Sequence, residues 1–344
     1  MKFDFIIGNP PYQDETLGDN TTYAPPIYNK FMDATYEMAD RVELIHPARF
    51  LFNAGSTPKS WNHKMLNDSN FKILYYNSGS KNIFPNTDIK GGIAISYHDK
   101  GKKFGPIEIF TPYNELNTVL RKVLNSKGNK SFATIIVTSY AYHFKESLYI
   151  DYPEAKGLLS KGHAFDFKSN VFERMPMVFC DSPLNPKEKY VRVLGRINNE
   201  RIYKYIPEKY VNEVSNLHYY KVFLSGAIGT GQYGEILSTP IIGIPGDGAT
   251  ETYLSIGSFN SEEEAEAVLL YIKSKFARSL LGVLKRTQAN TPGKWKYVPL
   301  QNFTSSSDID WSQSIADIDQ QLYRKYGLDE KEIEFIETHV KEMK

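Results

Sequence analysis

Apolar positions follow two rhythms along this chain. Over the first third, short apolar runs alternate with segments of helical period. Phe3-Asp4-Phe5-Ile6-Ile7 reads as a buried strand, closed by Gly8-Asn9-Pro10-Pro11-Tyr12. A polar loop follows to Thr22. A helix is expected over 26–39, where Ile27, Phe31, Met32, Ala34 and Tyr36 form an apolar side. Strands are expected at 41–45, 71–76 and 91–97, with a helix over 55–67 and another over 112–124. No helical pattern separates Phe84 from Gly91, so the last two strands suit an antiparallel edge pair. Alternating strands and helices predict an α/β sheet.

Asn125-Ser126-Lys127-Gly128-Asn129-Lys130 is polar and contains glycine, which makes it the best domain boundary. Beyond it short β-rich runs dominate, at 134–138, 177–179, 190–194, 201–206 and 219–224. Helical period returns at 261–284, with Ser261 as N-cap and Glu262, Glu263 and Glu264 in the first turn. The tail 315–343 reads as helices broken at Tyr326-Gly327. The expected division is a first domain at 1–125, a mixed α+β domain at 130–310 and a helical cap at 311–344.

Composition narrows the chemistry. A net charge of +1 over 344 residues excludes a uniformly basic surface, so any nucleic-acid contact comes from local patches. The single cysteine, Cys180, excludes an internal disulfide and a cysteine-based zinc site. It fits a reducing compartment. No apolar run reaches the ~20 residues that a spanning helix needs. A cytoplasmic protein without a membrane partner or a metal is expected.

The loop after the first strand carries the sharpest chemistry. Each proline fixes its own φ, removes an N–H donor and drives the preceding residue towards extended geometry. The result is a stiff loop at a strand's carboxyl end, where open α/β sheets place ligands. Asn9 offers an amide, Pro10 a carbonyl held in a fixed direction and Tyr12 a flat ring. Two acceptors beside a stacking ring suit the exocyclic amine of a planar base. The plain alternative is a proline-rich turn in which Asn9 bonds its own backbone. His46 is a lone histidine at a strand end with nothing nearby to complete a triad, and it reads as structural. Arg49 is open between a phosphate contact and a surface ion pair.

Asn9-Pro10-Pro11-Tyr12, after Phe-Asp-Phe-Ile-Ile-Gly, resembles the catalytic motif of adenine-N6 DNA methyltransferases, of the kind found in fused restriction–modification methylases. The resemblance extends through 42–51 and 82–92, then 285–291 and 295–299. It implies methyl transfer from S-adenosylmethionine to adenine N6, with Asn9, Pro10, Pro11 and Tyr12 catalytic. It also implies that Tyr12 and Phe84 stack on an extruded base; otherwise Phe84 reads as a core lid in a turn. The second domain is then the target-recognition domain for double-stranded DNA. From Lys273 to Lys296 the chain carries basic residues and no acidic one. Lys285, Arg286, Lys294 and Lys296 suit phosphates, and Gln288 and Asn290 suit base edges. A solvated basic helix end is the plain alternative.

Gly229-Thr230-Gly231-Gln232-Tyr233-Gly234 matches a dinucleotide fingerprint, but Pro240 and β-branched residues follow where a helix is needed. It reads as a glycine-rich turn. The resemblance therefore implies a partial Rossmann-like methyltransferase sheet here, with the family's glycine-rich cofactor motif on another polypeptide; a separate cofactor-binding half or a restriction subunit is the implied partner. A non-catalytic DNA-recognition subunit is the alternative function.

Overall fold

The computed structural model describes residues 2–14, 24–53, 55–77, 79, 83–85, 89, 91–285 and 287–343. They form two compact units, Met1–Asn117 and Thr118–Lys344. The division falls inside a helix rather than at the polar stretch 125–130. The helical tail is part of the second unit rather than a separate cap.

The first unit follows the expected alternation. β1 (Phe3–Gly8), α1 (Tyr28–Met38), β2 (Ala39–Pro47), α2 (Lys59–Asn67), β3 (Phe71–Asn77) and β4 (Ile93–Asp99) come in that order. The sheet order is β1-β2-β4-β3. β1 runs parallel to β2, and β4 is antiparallel to both β2 and β3. The antiparallel β3–β4 pair is present, but β4 lies inside the sheet and β3 at its edge. Period-two alternation in β2 and β4 decides which side is core. Val42, Leu44 and Ala94 pack with Tyr28 and Met32 of α1 and Trp61 and Met65 of α2. Asp33 ties the two helices, accepting from Trp61 Nε1 at 3.0 Å and Lys64 Nζ at 2.8 Å.

The opposite side of β1 is open. Phe3, Phe5 and Ile7 are 41%, 41% and 74% exposed. β1 is also an edge strand, hydrogen-bonded only to β2 among the described residues. Parallel strands ordinarily have both faces covered.

The chain passes through α3 (Asn114–Leu124) into the second unit. There β5 (Ile136–Val137), the short helices α4 (Glu146–Asp151) and α5 (Val171–Arg174), and the hairpin β6 (Tyr190–Ile197) and β7 (Glu200–Pro207) come first. β8 (Tyr220–Ser225), β9 (Ile241–Gly243), β10 (Asp247–Ala249) and β11 (Tyr253–Phe259) follow. They make two mixed-composition sheets, ordered β10-β6-β7 and β5-β11-β8-β9. The expected strand at 177–179 is a turn instead. Beside it Cys180 bridges to Tyr205 of β7, and Val178 and Phe179 are buried.

The helical region 261–284 is two helices, α6 (Glu262–Lys273) and α7 (Lys275–Leu284). Ser274 separates them with extended ψ, and its hydroxyl accepts from Ala277 N. The carboxylate of Asp319, on α8 (Ile315–Lys325), accepts from Lys275 N at 2.9 Å and Phe276 N at 2.8 Å. A second helix start is thus capped by two side chains. α9 (Glu330–His339) follows, opened by a capping box from Asp329 and Glu332.

Candidate functional site

The loop after β1 is anchored at both ends. Gly8 pairs with Leu44 of β2. Beyond the prolines, Tyr12 O accepts from Ile27 N at 3.2 Å, and Asp14 N donates to Pro25 O at 2.9 Å. Gln13 and Pro26 form an antiparallel bridge. The start of α1 therefore clamps the loop. Between these anchors Asn9 and Pro11 are exposed, and Pro10 and Tyr12 are half-buried. Asn9 has no side-chain hydrogen bond among the described residues, so its amide is not spent on the loop's own backbone. The Tyr12 ring packs against the first unit's core. Its hydroxyl is buried without a partner among the described residues, and burial raises its pKa.

His46 ends β2 and is fully buried. Its Nε2 lies 2.8 Å from Ser96 Oγ and its Nδ1 3.1 Å from Pro47 O. A carbonyl only accepts, which places the proton on Nδ1 and makes Ser96 the donor to Nε2. The ring stacks on Tyr28 at 6.1 Å. Burial lowers its pKa to about 4, outweighing the Pro47 carbonyl, so it is neutral near pH 7. His46 is a structural residue, as its setting in the sequence indicates.

Arg49 is exposed after β2, and its stem lies under a glycine turn. A Cβ on Gly91 would stand 2.6 Å from Arg49 Cγ, and Gly91 has φ +88°. Both facts require glycine there. Phe84 is half-buried in a turn. Asn82, Asn86, Thr87, Asp88 and Lys90 of the same stretch lie outside the described residues.

In the second unit the expected DNA contacts separate into groups. Lys285 is 3% exposed, ion-paired with Glu235 and bonded to Ile228 O at 2.8 Å. Asn290 is 1% exposed; it accepts from Trp295 Nε1 at 2.8 Å and donates to Ser225 O at 3.1 Å. Their polar atoms are committed inside the fold, which corrects their assignment to a DNA surface. Arg278, from the same basic run, is also buried and bonded to Lys341 O and Lys273 O. Gln288 and Lys296 are exposed and Lys294 half-buried. Arg286 lies outside the described residues.

The glycine-rich loop is not a phosphate cradle. Gly229, Gly231 and Gly234 all have positive φ, and no helix follows directly. The amides of Thr230 and Gly231 already donate to the Glu235 carboxylate, at 2.7 and 3.0 Å. An internal anion occupies the donors that a pyrophosphate would need. Sequence reasoning missed a different feature of this unit. Arg196 and Arg201 face each other across the β6–β7 hairpin, where the Ile197-Asn198-Asn199-Glu200 turn was the available signal.

Residues 1–84 match the Eco57I restriction-modification methylase family. The Eco57I-type segment thus runs from β1 through Phe84 and includes the whole Asn9–Tyr12 loop. An "uncharacterized adenine-specific methylase" of Mycoplasma pneumoniae (strain ATCC 29342 / M129 / Subtype 1) is 33% identical over 96 residues, 27% of this chain and 23% of that protein. The type IIG restriction endonuclease BpuSI aligns at 10% identity and TM-score 0.29, over 85% of this chain and 44% of its own. The type IIL restriction-modification enzyme MmeI, solved in complex with DNA, aligns at 10% identity and TM-score 0.37, over 98% and 56%. The chain matches less than a quarter of the Mycoplasma relative and about half of each solved enzyme.

Proposed function

We propose that this chain is the base-binding half of a site-specific DNA methyltransferase acting on adenine N6 with S-adenosylmethionine, within a restriction–modification system. The observation that carries the reading is the exposed amide of Asn9, without a side-chain hydrogen bond among the described residues and held at the end of β1 by a loop that prolines stiffen and α1 clamps. The Eco57I match over residues 1–84 supports it. So does the likeness to the Mycoplasma adenine-specific methylase.

The chemistry follows from the loop. An exocyclic amine is a weak nucleophile because its lone pair is delocalised into the ring. The Asn9 amide oxygen and the Pro10 carbonyl each accept one amine hydrogen. That localises the lone pair on nitrogen and fixes its direction. Tyr12 and Phe84 stack on the extruded base. Positioning and preset dipoles supply the rate, and no strong base is required. His46, neutral and enclosed, takes no part. In the second unit the exposed Gln288 and Lys296 and the half-buried Lys294 contact DNA.

The described residues do not fit the cofactor. The one glycine-rich loop with the right spacing has its amides occupied by Glu235. We assign the cofactor cradle to a further α/β segment that adds to the open edge and exposed face of β1.

The test is a tritiated-methyl transfer assay on unmethylated mixed-sequence DNA, with this chain alone and with a cofactor-binding half added. Transfer is expected only in the second case. Asn9→Ala is expected to lower it by roughly 100-fold or more, with DNA binding nearly unchanged. Full transfer by Asn9→Ala overturns the mechanism. Sequence-specific binding without transfer in any combination moves the reading to a non-catalytic recognition subunit.

A further inference from the structure

The β6–β7 hairpin ends in Asn198 and Asn199, with φ of 50° and 66°. These values suit a two-residue type I′ turn, for which asparagine is a preferred residue. The turn explains the asparagines but not their neighbours. Arg196 and Arg201 are direct cross-strand partners. Such pairs project to one face of the sheet, and like charges there repel. Three carboxylates of this unit have cationic partners of their own: Glu251 has Lys168, Asp247 has Arg192 and Asp181 has Lys204. Arg192 shares this face of the hairpin and has a bidentate partner in Asp247. Arg196 and Arg201, at the tip, have no carboxylate partner among the described residues.

Their geometry is nonetheless fixed. Arg196 donates to Tyr253 Oη at 3.2 Å and to Asn199 Oδ1 at 2.9 Å. Arg201 donates to Thr239 O at 2.7 Å. Each guanidinium is oriented, and among the described residues Arg196 Nη2 and Arg201 Nε and Nη1 have no hydrogen-bond partner. Beside the tip lies an open cleft of about 580 Å³, lined by Arg196, Asn199, Ser169, Ser225, Thr252 and Ile236. Ile236 is 51% exposed there. Another wall, at 227–229, is stitched to the segment bearing Gln288 by the Ala227–Ala289 bridge and by Ile228 N to Gln288 O at 2.8 Å.

A two-stranded ribbon enters the DNA major groove, where a guanidinium matches guanine O6 and N7 and an apolar side chain meets the thymine methyl. We propose that Arg196 is a specificity-determining residue that reads a base edge of duplex DNA from the hairpin tip, with Arg201 neutralising a phosphate beside it. This rests on the reading of the chain as a DNA methyltransferase half. It adds a recognition element separate from the segment 285–296.

The test is binding of the full chain to a pool of randomised duplexes, with the bound fraction sequenced and the affinity followed against salt. Wild type is expected to enrich a motif. Arg196→Ala and Arg196→Lys are both expected to flatten one position of it by roughly tenfold or more, with the other positions kept. Arg201→Ala is expected to weaken all duplexes alike and to reduce the salt slope by about one. Arg196→Lys keeps the charge, and melting curves check that each variant is folded. A wild-type motif that survives in folded Arg196→Lys and Arg196→Ala overturns the proposal. So does a uniform loss in Arg196→Ala with every position retained. Absence of any duplex binding by wild type removes the DNA reading itself, and this proposal falls with it.

Discussion

Lys285 and Glu235 form an ion pair inside the second unit, with the lysine almost wholly buried. Burial alone would push the Glu235 carboxyl up. The ammonium and the Thr230 and Gly231 amides outweigh that and hold it below its ordinary value. The pair closes the glycine-rich loop onto the end of α7. Removing one partner of a buried pair costs about 3–5 kcal/mol. Lys285→Ala is expected to lower stability by about 3 kcal/mol, measured by urea denaturation. Any loss of DNA binding should then track unfolding. A variant with wild-type stability and weakened binding would return Lys285 to the DNA surface.

His46 makes the first unit acid-sensitive. Its folded pKa, about 4, lies below the ordinary value of 6.5 because burial disfavours the charged ring. The unfolded chain therefore binds the extra proton first. The stability held above about pH 6.5 is lost as pH falls towards 4. The full difference is on the order of 3 kcal/mol. His46→Gln is expected to flatten the decline in unfolding free energy between pH 7 and pH 5 relative to wild type. Parallel slopes for the two proteins would contradict it.

Much of the first unit is legible in sequence because its elements are short and locally determined. The run Phe3–Ile7 and its proline stop give β1, and the apolar side of 26–39 gives α1. What was not legible depends on partners far along the chain. The break at Ser274 is hidden because the apolar side runs on through it, and the carboxylate that caps α7 beside the Ser274 hydroxyl belongs to Asp319. Lys285 and Asn290 look like surface groups until Glu235 and Trp295 are seen against them. The exposure of Phe3, Phe5 and Ile7 was also hidden, because an apolar run reports the tendency to be covered and not what covers it. The Asn9–Tyr12 loop is the reverse case. Its stiffness is written in two prolines, so its position at the end of β1 followed from the sequence.

Tyr12 separates stacking from hydrogen bonding at the candidate site. Its hydroxyl is buried without a partner among the described residues. A buried unpaired polar group costs about 1–3 kcal/mol. Tyr12→Phe is expected to leave stability unchanged or raise it by up to about 1 kcal/mol, and to retain methyl transfer with the cofactor-binding half. Tyr12→Ala should lose transfer, because the flat ring is gone. Thermal melting and the tritium assay read both effects. A large loss of transfer in Tyr12→Phe would show that the hydroxyl, and not the ring, is the working group.

The open side of β1 gives a prediction that reverses the usual rule for strand residues. Ile7 is 74% exposed on an edge strand, with Phe5 and Phe3 beside it on the same face. A lysine at such a position costs the isolated chain little and blocks strand addition at the edge. Ile7→Lys is expected to change the chain's own stability by less than about 0.5 kcal/mol. If β1 is where the cofactor-binding segment docks, the same change should abolish its association, measured by calorimetry, and with it methyl transfer. Asn9→Ala, by contrast, should lose transfer while association is kept. Ile7→Lys that associates and methylates normally would place the cofactor-binding segment elsewhere, and the exposed face of β1 would need a different cover.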